Sequence, residues 1–127
     1  GRLHIYDYKT GKPPSEKEQQ YFDRQLLLEA VIAEQAGFGQ LAPAIVAQAT
    51  FIGLGGKPET VPAPLHKEPV PKVWLEFKEL MQAYLDPARG YTARRAVFKK
   101  ADRGDYDQLA RFGEWDITDA PDTAEVG

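Results

Sequence analysis

The stretch Leu3–Gly11, "LHIYDYKTG", decides how this chain is read. Leucine, isoleucine and tyrosine favour a pleated, half-buried strand, and Gly11 stops the run. Alternation puts Leu3, Ile5, Asp7 and Lys9 on one face and His4, Tyr6 and Tyr8 on the other. An acid and a base therefore share a face at the end of the strand, their side-chain roots about 7 Å apart. An aspartate in that position can ligate a divalent cation. A lysine beside it can act on a water or on a phosphate oxygen. Phosphodiester hydrolysis needs this combination: a metal to polarise the phosphate and acidify water, and a cation to orient the nucleophile or offset charge. A bare Asp-x-Lys is also what a solvated strand end carries, so its surroundings must separate the two readings.

Outward from that strand, "TGKPPSEKEQQ" reads as a loop, with Ser15 capping the next helix and Glu18 at the capping-box position. One long helix is expected to about Ala36, with Phe22, Leu26, Leu28, Val31 and Ile32 apolar and Gly37 at its end. A second strand is expected from Ile45 to Leu54, closed by two glycines. Five prolines between residues 57 and 71 mark a loop or linker. A helix is expected from Val73 to Leu85, with Trp74, Phe77, Leu80, Met81 and Tyr84 at helical spacing. "GDYDQLARFGEW" reads as a short docking helix with Asp105 as its cap. The order strand, helix, strand, helix, basic loop, short helix is an α/β pattern with one crossover, long enough for a βαβ unit. Two strands make a poor sheet, and the first would naturally pair with a hairpin strand upstream of Gly1. The expected division is residues 1–56, a proline-rich linker at 57–72, a helical and basic segment at 73–116, and an acidic tail at 117–127.

Composition sets outer limits. The chain has 127 residues, 43% hydrophobic and 28% charged, which suits one globular domain or part of one. It has no cysteine, which removes disulfides, zinc–thiolate sites and iron–sulfur clusters within these residues and fits a reducing, cytoplasmic setting. With two histidines, a metal would be held mainly by oxygen, favouring magnesium, manganese or calcium. No apolar run approaches the ~20 residues that cross a bilayer, and no membrane partner is expected. The net charge of −3 gives no global sign of nucleic-acid binding. Locally, Arg89, Arg94, Arg95, Lys99 and Lys100 cluster around Tyr91, a pattern suited to phosphate contact with some stacking, or to packing on a partner.

"DYKTG" resembles the signature of the RecB-like branch of the PD-(D/E)XK nuclease superfamily, where the Asp-x-Lys follows a hydrophobic strand and a Thr-Gly turn follows the lysine. The family then carries a Gln-x-x-x-Tyr helix, and "RQLLLEA" puts Gln25 in that place, with Glu29 where the family has tyrosine. "QLLLEAVIAEQAGF", "ATFIGLGG" and "YDQLARFGEW" look like the C-terminal nuclease region of AddB-type subunits of the alphaproteobacterial kind, over most of residues 2–116. The resemblance implies a partial restriction-endonuclease-like core from a helicase–nuclease that processes double-strand DNA breaks for recombination. It implies Mg2+ or Mn2+ on Asp7 and the carbonyl of Tyr8, with Lys9 positioning the attacking water and Gln25 orienting water, lysine or DNA backbone. Glu29 is a candidate accessory residue. The implied partners are DNA and an AddA-type helicase subunit. The family places another essential acid upstream of "DYKTG", so the 127 residues alone are expected to cut DNA poorly or not at all. The alternative is a nuclease-like module that binds DNA or docks a partner without cutting.

Overall fold

The central strand, β2 (Val46–Gly53), is bordered by β1 (Leu3–Lys9) in parallel and by β3 (Glu59–Pro62) in antiparallel orientation. The computed structural model describes residues 1–91, 104–116, 118–120 and 122. They form a small α/β domain with a three-stranded mixed sheet and three helices, α1 (Glu16–Tyr21), α2 (Gln25–Gln35) and α3 (Val70–Leu85). The described residues up to 82 and those from 83 onward fall into two compact units.

The expected alternation in β1 is present: Leu3, Ile5, Asp7 and Lys9 turn inward, while His4, Tyr6 and Tyr8 are exposed. Both β1 and β2 emerge at the same end of the sheet, with Asp7 opposite Phe51 and Lys9 opposite Gly53. A parallel pair needs a crossover, and α1 and α2 supply it. Ser15 caps α1 through a full capping box: its hydroxyl accepts from the Glu18 amide, and the Glu18 carboxylate accepts from the Ser15 amide at 2.7 Å.

The helix expected as one piece is two. The amides of Phe22 and Asp23 both close on the Glu18 carbonyl, and α1 ends there. The Asp23 carboxylate then accepts from the Gln25 amide at 3.4 Å, a side-chain bond that starts a new helix rather than continuing the old one. Gln25 thus becomes the first residue of α2 instead of a mid-helix residue. Leu26, Leu27, Ala30, Val31 and Ala33 of α2 are buried against Val46, Ala49 and Phe51 of β2. Of the apolar positions read from sequence, Leu26 and Val31 are buried, Leu28 packs beside the core, and Phe22 and Ile32 are exposed. Gly37 ends the helix at φ 74°, where a Cβ would lie 2.1 Å from the Leu41 carbonyl oxygen, so only glycine fits. The Glu34 carboxylate then takes the Val46 amide at 2.9 Å, fixing where β2 begins.

Residues 57–72, expected as a linker, contain β3 and a buried turn. Val61 pairs with Phe51, and Ala63 and Pro64 are buried. Gln19, also buried, donates from α1 to the carbonyls of Pro14 (3.2 Å) and Pro62 (3.4 Å), tying this segment to the crossover. Proline is tolerated at the end of β3 because the strand is an edge. α3 begins at Val70, earlier than read, since Pro71 in the first turn lacks only an N–H that has no helical partner anyway. Val70 and Val73 enter the core with Trp74 beside them. Arg24 links the start of α2 to this segment through Glu68 (3.2 Å) and Glu76 (2.8 Å), and Lys72 pairs with Glu68 at 2.8 Å.

In the second unit, "GDYDQLARFGEW" is a chain of turns rather than the expected short helix. Arg111 (φ 51°) and Gly113 (φ 104°) both leave the helical region, and the Trp115 indole donates back to the Ala110 carbonyl at 2.8 Å.

Candidate functional site

The acid and the base of β1 meet α2 at its first residue. Lys9 Nζ lies 2.9 Å from Asp7 Oδ2 and donates to Gln25 Oε1 at 2.8 Å. Gln25 Nε2 donates to Glu29 Oε1 at 2.9 Å and reaches Asp7 Oδ1 at 3.5 Å. Four residues read as candidates from the sequence, Asp7, Lys9, Gln25 and Glu29, therefore form one connected cluster. Two features build it. The period of a strand puts Asp7 and Lys9 on the face that α2 covers. The break at Phe22–Arg24 puts Gln25 at the helix start, with Glu29 one turn further along the same side.

The cluster is half-buried and rests on an aromatic floor. Lys9 Nζ stands 5.1 Å from the centroid of the Phe51 ring, which is itself completely buried. Phe51 was not identified as part of a site from sequence; only the β1–β2 register, which pairs it with Asp7, brings it there. Asp7 Oδ2, a buried oxygen, is held by its ion pair with the Lys9 ammonium at 2.9 Å rather than by a hydrogen bond. A buried carboxylate oxygen is costly unless a cation compensates it, and the Lys9 ammonium does so here. The Lys9 carbonyl accepts from Leu54, so in a parallel ladder the backbone groups of Tyr8 turn toward the open edge of β1. Tyr8 itself is 64% exposed on the uncovered sheet face, with Tyr6 at 50%.

An oxygen-only donor set of this type suits Mg2+ or Mn2+ rather than a soft metal. The set is partial: among the described residues no three histidine, aspartate or glutamate side chains group closely enough to hold an ion. Asp7 and the carbonyl of Tyr8 are the groups that could begin a coordination sphere, while Glu29 is already engaged by Gln25.

Just beyond the strand ends, residues 10–13 and 55–57 with Glu59 line an open cavity of about 420 Å³. Lys12 and Lys57 stand on its glycine-containing walls, both exposed, and neither joins an ion pair among the described residues. Neither was singled out in the sequence, where isolated lysines beside glycine are indistinguishable from ordinary surface. Of the basic residues that were, Arg89 packs its guanidinium over the Tyr84 ring at 5.1 Å, and Tyr84 stacks on Tyr91 at 5.5 Å. Arg94, Arg95, Lys99 and Lys100 lie outside the described residues. Among the described residues, no helix is long and apolar enough to cross a membrane.

No family model, curated protein or solved structure matches this chain. The candidate site stands on its residues and their geometry.

Proposed function

We propose that this chain carries part of a metal-dependent DNA nuclease site of PD-(D/E)XK type, centred on Asp7, Lys9 and Gln25. The observation that supports it is the convergence of these three side chains, 16 and 18 residues apart in sequence, at the end of β1. The Asp7 carboxylate and the Tyr8 carbonyl would hold Mg2+ or Mn2+, with Lys9 beside them at 2.9 Å from Asp7. When bound, the ion polarises the phosphodiester and makes water more acidic. Lys9, fixed by Gln25, presents its ammonium to the attacking water and offsets charge on the phosphoryl oxygens. The Lys12 and Lys57 cavity leads backbone phosphates toward the strand ends. A complete metal sphere needs a further acid besides Asp7. The wider setting, a helicase–nuclease in double-strand break repair, rests on the resemblance of the β1 and α2 stretches.

The competing reading is a non-cutting module that binds DNA or docks a partner. It is favoured by the closure of the cluster, in which Lys9 and Asp7 neutralise each other and both ends of the Gln25 amide are engaged. Mn2+ titration separates the two. On the nuclease reading, paramagnetic broadening of amide signals centres on Asp7 and Tyr8 and vanishes in Asp7→Ala. In the full-length parent protein, degradation of linear DNA is lost in Lys9→Ala with folding intact. Uniform or absent broadening, together with a parent protein that binds DNA without degrading it, would favour the module.

A further inference from the structure

Gln25 is a two-ended connector, and its orientation matters to everything it touches. Its Oε1 accepts from Lys9 Nζ at 2.8 Å, and its Nε2 donates to Glu29 Oε1 at 2.9 Å and points toward Asp7 Oδ1 at 3.5 Å. A primary amide has a pure acceptor at one end and pure donors at the other. Turning it over would face its NH2 to an ammonium and its oxygen to two carboxylates, so all three contacts would become repulsive. The closer of the two carboxylates is that of Glu29. Glu29 also lies on α2 one turn after Gln25, so the helix holds the pair together whatever happens at β1.

We infer that Glu29 is a positioning residue: it fixes which end of the Gln25 amide faces Lys9, and so where the Lys9 ammonium stands relative to Asp7. This deepens the nuclease reading and rests on it for its functional meaning, although the positioning itself does not depend on cutting. It accounts for an acid in a cluster proposed to meet phosphate. Glu29 acts through Gln25, whose NH2 reaches both its carboxylate (2.9 Å) and that of Asp7 (3.5 Å).

The test uses the 127-residue chain and NMR of two side chains, Gln25 Nε2H2 and Lys9 Nζ, in the parent, Glu29→Gln and Glu29→Ala. A charged acceptor separates the two Gln25 amide protons and slows their exchange. In Glu29→Ala they should converge on the values of a free amide, and the Lys9 ammonium signal should broaden through faster exchange, while backbone amides of β1 and α2 keep their positions. Glu29→Gln, which preserves shape, should fall between. In the full-length parent protein, Glu29→Ala should lower kcat for DNA cleavage about tenfold, the low end for a residue that orients a site group, with KM for DNA unchanged. Gln25 and Lys9 signals that do not move in either variant would overturn the inference. A fall in kcat with unmoved signals would overturn it too, by giving Glu29 a direct role. If the parent protein cuts no DNA, the nuclease reading fails, while the NMR result still decides the positioning.

Discussion

Replacing Phe51 probes the core and the site at once. Phe51 is fully buried at the centre of the sheet, between Asp7 on β1 and Val61 on β3, with the Lys9 ammonium 5.1 Å above its ring. Phe51→Ala removes the largest of the fully buried side chains and leaves a cavity that the flanking strands cannot close. Such changes cost about 3–5 kcal/mol, a large part of the roughly 5–15 kcal/mol that holds a domain together. Phe51→Leu keeps most of the volume. Its packing loss should be about 1 kcal/mol, to which loss of the aromatic face under a half-exposed lysine adds about 0.5–1 kcal/mol. Urea unfolding followed by circular dichroism measures both. A double-mutant cycle of Phe51→Leu with Lys9→Met isolates the second effect, with an expected coupling of about 0.5–1 kcal/mol. A cost below about 1 kcal/mol for Phe51→Ala would refute the placement of this ring in the core. A coupling of zero would refute its role as the floor beneath Lys9.

Two further outcomes follow from surface charge. The hydrogen bond from Lys67 holds the Glu16 carboxyl below its ordinary value of 4.5, with the Lys67 and His66 charges acting the same way and desolvation opposing them. A lowered folded-state value stabilises above the unfolded one and is lost as pH falls through it. The parent should therefore unfold at slightly higher urea than Glu16→Gln at neutral pH, and the gap should close as pH drops below 4.5 and as salt is added. A gap that widened on acidification would contradict the pair. At the cavity, Lys12→Ala with Lys57→Ala should weaken DNA binding whatever the sequence and flatten the log–log salt dependence by about two. An unchanged slope, measured by fluorescence anisotropy, would remove this cavity from the path of the phosphates.

The chemistry-bearing residues were legible because each sits in a short-range pattern. A strand's period of two put Asp7 and Lys9 on one face, and the i, i+4 spacing did the same for Gln25 and Glu29. The capping box at Ser15 and the parallel crossover were legible for the same reason. The turns at residues 104–116 were misread as a helix because the apolar spacing of Tyr106, Leu109 and Phe112 imitates one. There Tyr106 and Leu109 are exposed, so no burial rewards a helix.

By itself, then, the amino-acid sequence determined which residues of β1 and α2 bring charge and polarity to a shared face, because faces follow from local periods. Tertiary structure alone decided the rest. The contact of Lys9 with Gln25, 16 residues away, joined the start of α2 to the end of β1. The β1–β2 register slid Phe51 under Lys9. A proline-marked segment became an edge strand because it pairs with the backbone of the second edge of β2. Each of these depends on contacts between residues far apart in the chain, whose free energy exists only once the elements have packed.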